Sequence, residues 1–470
     1  MSGGVFDLLA APGVGRFLRW RYASVAMRAL VLVLAAIMVL HGLTGPRLAP
    51  KNLATVLTWL HLRGLMVVGL LLAGNLFCMT CPCILVRDLA CRFLRLERAW
   101  PKRLRNKWPA VVLFALILFL YELYDLWASP WWTAWLILAY FVGAVAVGVV
   151  FKRAPFCKYV CPMGQFNLVS SLISPLEVKV RDPQTCDACS THDCIRGHCS
   201  GQKGCELDLF QARKVGNMDC NVRLDCVRAC PHDNVGLLAR VPASELWSDP
   251  WRSGIGRFSQ RPDLAALIVL YAFGALINAF GMVSPVYELE QWLADLLSTR
   301  SEAMVLGIIF VAGLLIAPLA LLGLTAWLTR RLTGVQERLP VLITRYAYAL
   351  VPVSFGVWVA HFAFHFLTGF LTIIPVLQST LADLGWTGLG KPRWDLGGLP
   401  SAWLFPIELG IMGLGWWGSL LVAYRLAEQG YPESPRRAFV PWALLLSLIL
   451  LAAIWLMAQP MEMRGTFLQG

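Results

Sequence analysis

Apolar residues in this chain gather into long runs separated by shorter polar, mostly basic loops. Runs near the roughly twenty-residue length that spans a bilayer fall at about 22–42, 55–77, 109–128, 132–151, 263–285, 303–328, 343–374, 402–424 and 438–458. Each predicts a membrane-crossing helix, nine in all. The boundary of the fourth run and the length of the seventh are the least sharply drawn. The stretch AAPGVGRFLRWRY leads straight into a full-length span, so no cleavable signal is expected. One polar stretch interrupts the series. It divides the chain into an N-terminal membrane domain (1–151, about four spans), an inserted polar domain (152–262) and a C-terminal membrane domain (263–470, about five spans).

Composition agrees with the pattern. Hydrophobic residues make up 58% of the 470 residues, charged residues only 15%, and the mean hydropathy is +0.62. Ordinary globular cores cannot hide that much apolar surface. Basic loops orient the spans. With the N-terminus inside, the inside segments include the tail (Arg16, Arg19, Arg21), 84–108 (among others Arg87, Arg92, Lys102 and Arg105), 329–345 and 425–437. The outside segments hold only Arg47, Lys51, Arg300, Lys391, Arg393 and Arg464, about a threefold asymmetry. This predicts a bacterial inner-membrane protein with N-terminus and polar domain in the cytoplasm and C-terminus outside. The net charge of +13 then lies against anionic lipid and implies no nucleic-acid partner.

The polar domain holds ten of the fourteen cysteines. Thiols stay reduced in a bacterial cytoplasm, so such a cluster points to metal rather than to disulfides. One group, CDACSTHDCIRGHCSGQKGC, supplies Cys186, Cys189, Cys194, Cys199 and Cys205. The other, MDCNVRLDCVRACP, supplies Cys220, Cys226 and Cys230. Eight thiolates match two 4Fe–4S clusters at four each, and the Cys230-Pro231 ending favours iron–sulfur over zinc, for which Cys186-x2-Cys189 would be half a site. The second group fits the bacterial spacing C-x2-C-x2-C-x3-C-P, except that Arg223 stands at the second cysteine.

In two-cluster ferredoxins the last cysteine of each motif crosses to the other cluster. Cluster one then takes Cys186, Cys189, Cys194 and Cys230. Cluster two takes Cys205, Cys220 and Cys226, with its fourth ligand open: Cys199, His198, water, or no ligand at all in a three-iron cluster. The charge of Arg223 is expected to shift the potential of cluster two. His192 and His232 read as hydrogen-bonding or solvent-exposed residues.

A second cysteine pattern flanks the spans. GNLFCMTCPCILVRDL carries Cys78-x2-Cys81-Pro82 and RAPFCKYVCPMGQFNL carries Cys157-x3-Cys161-Pro162. Both follow spans that run from outside to inside, so both pairs belong at the inner membrane edge. Together they make a third cluster site; separately each is a redox dithiol; and the plainest reading is that they end helices. Cys83 and Cys91 lack partners at motif spacing and read as ordinary small residues.

The spans with CKYVCPMG at the inner edge, followed by the two-cluster motifs, cover about residues 60–240. They resemble the membrane-bound polyferredoxin-like family, which includes the quinol-dehydrogenase membrane subunit of periplasmic nitrate reduction and the membrane regulator of nitrous-oxide reductase expression. The resemblance implies electron transfer between the membrane quinone pool and soluble or membrane redox proteins. It carries family roles to Cys157, Cys161, Cys186, Cys189, Cys194, Cys205, Cys220, Cys226 and Cys230. Two departures stand out: Cys78-x2-Cys81 is one residue short of the family spacing, and Arg223 replaces a ligand. The five later spans lie outside the shared region.

Those later spans hold VWVAHFAFHFLTG, with His361 and His365 four apart on one helical face. His41 and His61 are expected at similar depth on the first two spans. Paired imidazoles from different spans suit a b-type haem, with Arg63 placed to meet its propionates. A quinone site, a proton role and interhelical packing are the other readings. The many tryptophans, such as Trp127, Trp131 and Trp132, read as an interfacial belt. No charged residue reads as lying deep in a span, which gives a redox-driven transporter little support. The expectation is thus a polytopic α-helical membrane protein with an inserted two-cluster ferredoxin-like α+β domain. It would be an iron–sulfur electron-transfer component, with membership of a quinol dehydrogenase as one reading. The alternative is a redox-sensing regulator or maturation factor for a respiratory or photosynthetic complex.

Overall fold

The computed structural model describes residues 6–198 and 201–460. Every apolar run forms helix. Among the described residues, eight helices are long and apolar enough to cross a membrane, and the third run gives a shorter apolar helix, Trp108–Leu123. The chain is a multi-pass helical membrane protein. The second span departs from regular α-helix at Val56–Leu62, where the backbone takes a π-helical form. The long seventh run gives one continuous helical span, Leu339–Gly369, tightened to 3-10 form at Ala347–Ala349, and Ile373–Asp383 is a separate helix.

The chain packs as two compact units. The first comprises residues 1–33, 68–113 and 140–267; the second comprises 34–67, 114–139 and 268–470. The polar insertion lies wholly in the first, which also takes in the ends of several apolar helices.

In the first unit, strands β1 (Leu176–Val180) and β2 (Val235–Ala239) pair antiparallel, with Leu176 opposite Ala239 and Val180 opposite Val235. The N-terminal tail docks on this pair. Ala239 N donates to Phe6 O at 2.8 Å, and Asp7 accepts from Leu237 N at 3.1 Å and from Arg181 Nη2 at 2.7 Å. Several basic side chains turn inward rather than toward lipid. Lys107 Nζ is fully buried and donates to Asp219 Oδ1 at 2.5 Å and to Lys158 O at 2.6 Å. Lys158 Nζ donates to Leu207 O at 2.6 Å, and Lys214 Nζ to Val178 O at 2.7 Å. Part of the net charge therefore serves as internal donors that tie loops together by satisfying carbonyls no strand or helix reaches. Burial works to lower the Lys107 pKa and prevails, while Asp219 pulls the other way.

In the second unit, the helix Leu350–Gly369 is buried along most of its length and packs on Leu404–Gly430. Small residues let the two backbones meet. A Cβ added at Gly415 would lie 2.6 Å from the Pro352 carbonyl oxygen, whereas one added at Gly413 meets nothing within 4 Å. Gly415→Val is therefore expected to destabilise the protein by about 1–3 kcal/mol through overpacking, while Gly413→Val stays near wild type. Thermal unfolding in detergent checks the pair; equal midpoints for both variants would contradict this packing.

Candidate metal centre

Two cysteines sit where helices begin. Cys81 caps the helix Pro82–Phe93 and Cys161 caps Pro162–Ser170, each with proline at the first helical position. Proline loses nothing there, since its missing N–H would have no partner. Gly164 N donates to Cys161 Sγ at 3.2 Å. Cys81 makes no such cap bond, Ile84 N donating to its carbonyl instead, and the neighbouring Cys83 thiol is the largest effect drawing the Cys81 thiol below its ordinary value against burial. Helix starts favour negative charge, so both positions suit thiolates. Cys83, an ordinary residue by its spacing, is therefore a direct partner of a candidate ligand.

Cys78 and Cys157 complete this group. Cys78 feels the charge of Cys81 and Cys157, and Cys161 that of Cys157, Cys78 and Cys81. The two Cys-Pro pairs are one set of four sulfurs. Burial pushes the thiols of Cys78 and Cys161 well up and that of Cys157 to about 11. Asn75 caps the turn before Cys78, accepting from Cys78 N at 3.2 Å. Gln165 Nε2 clamps the Cys157 segment by donating to the Cys157 and Lys158 carbonyls at 3.0 and 3.1 Å.

A second set forms in the insertion. Cys186 ends the short helix Pro183–Asp187, which Asp182 caps by accepting from Gln184 N and Thr185 N at 3.1 Å each. Cys194 lies in Asp193–Arg196, and Cys230 follows Asp225–Ala229. Cys186, Cys189, Cys194 and Cys230 line one cavity, the grouping expected for cluster one. Asn234 braces two of them. Its backbone N donates to Cys230 Sγ and its Nδ2 to Cys186 Sγ, both at 3.4 Å, while its Oδ1 accepts from Asp182 N at 2.9 Å. Nothing in the spacing marked Asn234, although it directly follows the CPHD stretch. His192 faces the Ser190 carbonyl at 3.1 Å and packs on Phe210.

The third set is Cys205, Cys220 and Cys226. Cys226 feels the charge of Cys205 and Cys220, so the structure brings these three together. Cys205 N donates to Cys194 O at 2.9 Å, so this set abuts the second. The loop carrying Cys220 winds through left-handed backbone at Asp219, Val222 and Leu224. A β-branched residue there is strained, and such strain concentrates at functional sites. Cys199, the candidate fourth ligand, lies outside the described residues. Among the described residues, no three His, Cys, Asp or Glu groups close on a single point as one metal ion needs. The sulfurs are spread instead, as around the cavity of the second set, and a multi-iron cluster fits that arrangement of donors.

Arg223 does not stand in for a ligand. It is buried, donates to Glu206 Oε2 at 2.5 Å and pairs with Asp225 Oδ2 at 3.0 Å. Arg87 joins Glu206 at 2.7 Å and Asp88 at 2.5 Å. Although burial opposes it, Arg223 and Arg87 hold the Glu206 carboxyl far below its ordinary range. Arg87 and Arg223 both favour the charged form of the Cys157 thiol, against burial.

The four candidate haem histidines have different surroundings. His41 accepts from Leu53 N at 3.0 Å and meets Thr380 Oγ1 at 3.2 Å; His61 contacts the Val56 and Phe370 carbonyls at 3.0 and 3.1 Å. His361 and His365 pack together, ring centroids 4.9 Å apart.

Removing Arg223 leaves Glu206 and Asp225 buried without it. Arg223→Met is expected to destabilise the protein by about 3–5 kcal/mol, and Arg223→Cys, which restores the ferredoxin spacing, by a similar amount. Chemical denaturation in detergent checks this; a stabilised Arg223→Cys would mean the position still belongs to a cluster.

Comparison with known proteins supports iron–sulfur binding. Residues 133–174, which include Cys157 and Cys161, match a 4Fe-4S binding domain. The "Putative electron transport protein YccM" of Escherichia coli (strain K12) is 27% identical over 90 residues, which cover 19% of this chain and 23% of that protein. No solved structure matches. The matched segment and the relative together fit a membrane polyferredoxin-like 4Fe–4S protein.

Proposed function

We propose that this chain is a membrane-bound electron carrier that exchanges electrons between the quinone pool and soluble or membrane redox proteins. One observation carries the reading: three sets of thiols share one compact unit and adjoin one another. The Cys-Pro set would hold one 4Fe–4S cluster through Cys78, Cys81, Cys157 and Cys161. The second would use Cys186, Cys189, Cys194 and Cys230, and the third Cys205, Cys220 and Cys226 with Cys199. Such clusters supply one-electron redox chemistry.

The chain's own residues do the rest. The helix-start N–H of Gly164 and the N–H groups of Asn234 donate to sulfur, which tunes the potential of a bound cluster. The backbone bond between Cys205 and Cys194 holds two sets together. Lys158, reaching from the Cys-Pro segment to Leu207 O at 2.6 Å, joins the third set to the membrane edge. Docking of the tail at Phe6 and Asp7 on β2 supports an N-terminus on the same side as the insertion. The basic-loop asymmetry supports that side being the cytoplasm, with the C-terminus outside.

The test is reoxidation. Anaerobically purified protein, reduced with dithionite, is mixed with decylubiquinone or a menaquinone analogue and followed by EPR. Loss of the reduced-cluster signals within seconds is the expected result. Signals that persist through excess quinone would instead favour the redox-sensing or maturation role. Cys199→Ser should alter the signal of one cluster and leave the others; unchanged signals would remove Cys199 as a ligand.

A further inference from the structure

The second unit contains polar groups that its own packing leaves unanswered. Arg63 stands halfway along the apolar helix Leu53–Leu72, which corrects the expectation that no charge lies deep in a span. Among the described residues it has no carboxylate partner. Its guanidinium is held instead by aromatic faces, 4.3 Å from the Trp59 ring, 4.9 Å from Tyr121 and 5.1 Å from Phe362, and it donates to Tyr121 Oη at 3.3 Å. His361 and His365 are 1% and 6% exposed, and both lie within electrostatic reach of Arg63. Both nitrogens of His361 and Nε2 of His365 are buried without a hydrogen-bond partner.

These groups are costly to keep. A buried polar atom without a partner is destabilising, and an arginine within a span is unfavourable to insert. Ionisable residues at such depth mark functional sites. The two helices meet closely here: a Cβ on Gly64 would lie 2.6 Å from the Phe366 ring.

The chemistry narrows the occupant. It must reach mid-membrane depth, so it is largely apolar. It must offer acceptor oxygens to an arginine and to imidazole N–H groups. It must tolerate several flat aromatic neighbours. A quinone head group meets all three conditions, with two carbonyl oxygens on a flat ring. A phosphate head group fails the first. Haem held between two imidazoles fails on geometry: residues four apart on one helix share one face, so His361 and His365 cannot take opposite faces of one iron, and His41 and His61 are engaged elsewhere.

We propose that Arg63, His361 and His365 form a binding site for a quinone head group, with Trp59, Tyr121 and Phe362 as its aromatic wall. The proposal rests on the electron-carrier reading and locates the quinone within it. Arg63 and an imidazole N–H donate to the carbonyl oxygens, and the second imidazole accepts through its unprotonated nitrogen a hydrogen bond from the reduced, hydroxyl form of the ligand.

The experiment combines labelling and binding on the full chain in detergent. An azido-quinone is photolysed with wild-type protein and the label mapped by peptide mass spectrometry. Label within residues 59–63 or 358–366 is expected, and label confined to other segments would overturn the site. Equilibrium binding of decylubiquinone to wild type, Arg63→Gln, Arg63→Lys and His361→Leu/His365→Leu follows, each with iron content and thermal midpoint measured. Arg63→Gln and the double variant should weaken binding at least tenfold with iron content unchanged, and Arg63→Lys should retain part of the affinity. Wild-type affinity in all variants would overturn the site, while quinone reoxidation of the clusters would still uphold the electron-carrier reading. Failure of the wild-type clusters to reoxidise would instead remove that reading. A pyridine-haemochrome signal that vanishes in the histidine variant would make haem the occupant and overturn the quinone assignment.

Discussion

The arrangement of this protein turns on cysteine placed at the start of a helix. At Cys81 and Cys161 a proline opens the helix, and at Cys161 the next free N–H, that of Gly164, donates to the sulfur, a position that offsets part of the cost of burying negative charge there. Because the motif occurs twice, and each copy carries a second cysteine three or four residues earlier, four sulfurs converge in one place. Cys81 and Cys161 stand at the starts of the helices that follow, as well as at the ends of those before.

Around that convergence the chain uses positive charge as internal scaffolding. Lys107 reaches both Asp219, beside Cys220, and the Lys158 carbonyl, beside Cys157. Arg87, Glu206 and Arg223 form a buried network beside Cys205 and within the field of Cys157. Arg223 fits these terms: where the ferredoxin spacing would have a cysteine stands a buried cation paired with Glu206 and Asp225. Buried ion pairs contribute little net stability but are expensive to break, so the network holds geometry more than it adds stability.

Much of this was legible in the sequence because cysteine spacing is local. The composition of the Cys186 set and of the Cys205 set, crossing cysteines included, followed from motif arithmetic alone. So did the membrane class, since a run of about twenty apolar residues has few other uses. What escaped was non-local. Asn234 is an unremarkable residue until Asp182, far away in the chain, arrives to orient it. That His41 meets Leu53 N, and His61 the Val56 carbonyl within the π-helical backbone at Val56–Leu62, shows in no spacing. Arg63 was visible, yet its isolation from any carboxylate shows only when the aromatic residues from three segments close around it.

The central claim is that three thiol sets each hold a cluster, and iron with acid-labile sulfide tests it most directly. Anaerobically purified wild type should contain about twelve iron and twelve sulfide per chain, at four of each per cluster. Cys161→Ser, Cys189→Ser and Cys226→Ser should each lower both by no more than about a third, with different EPR signals lost in each. Zinc without sulfide in the wild type, or Cys161→Ser at full wild-type content, would contradict the account.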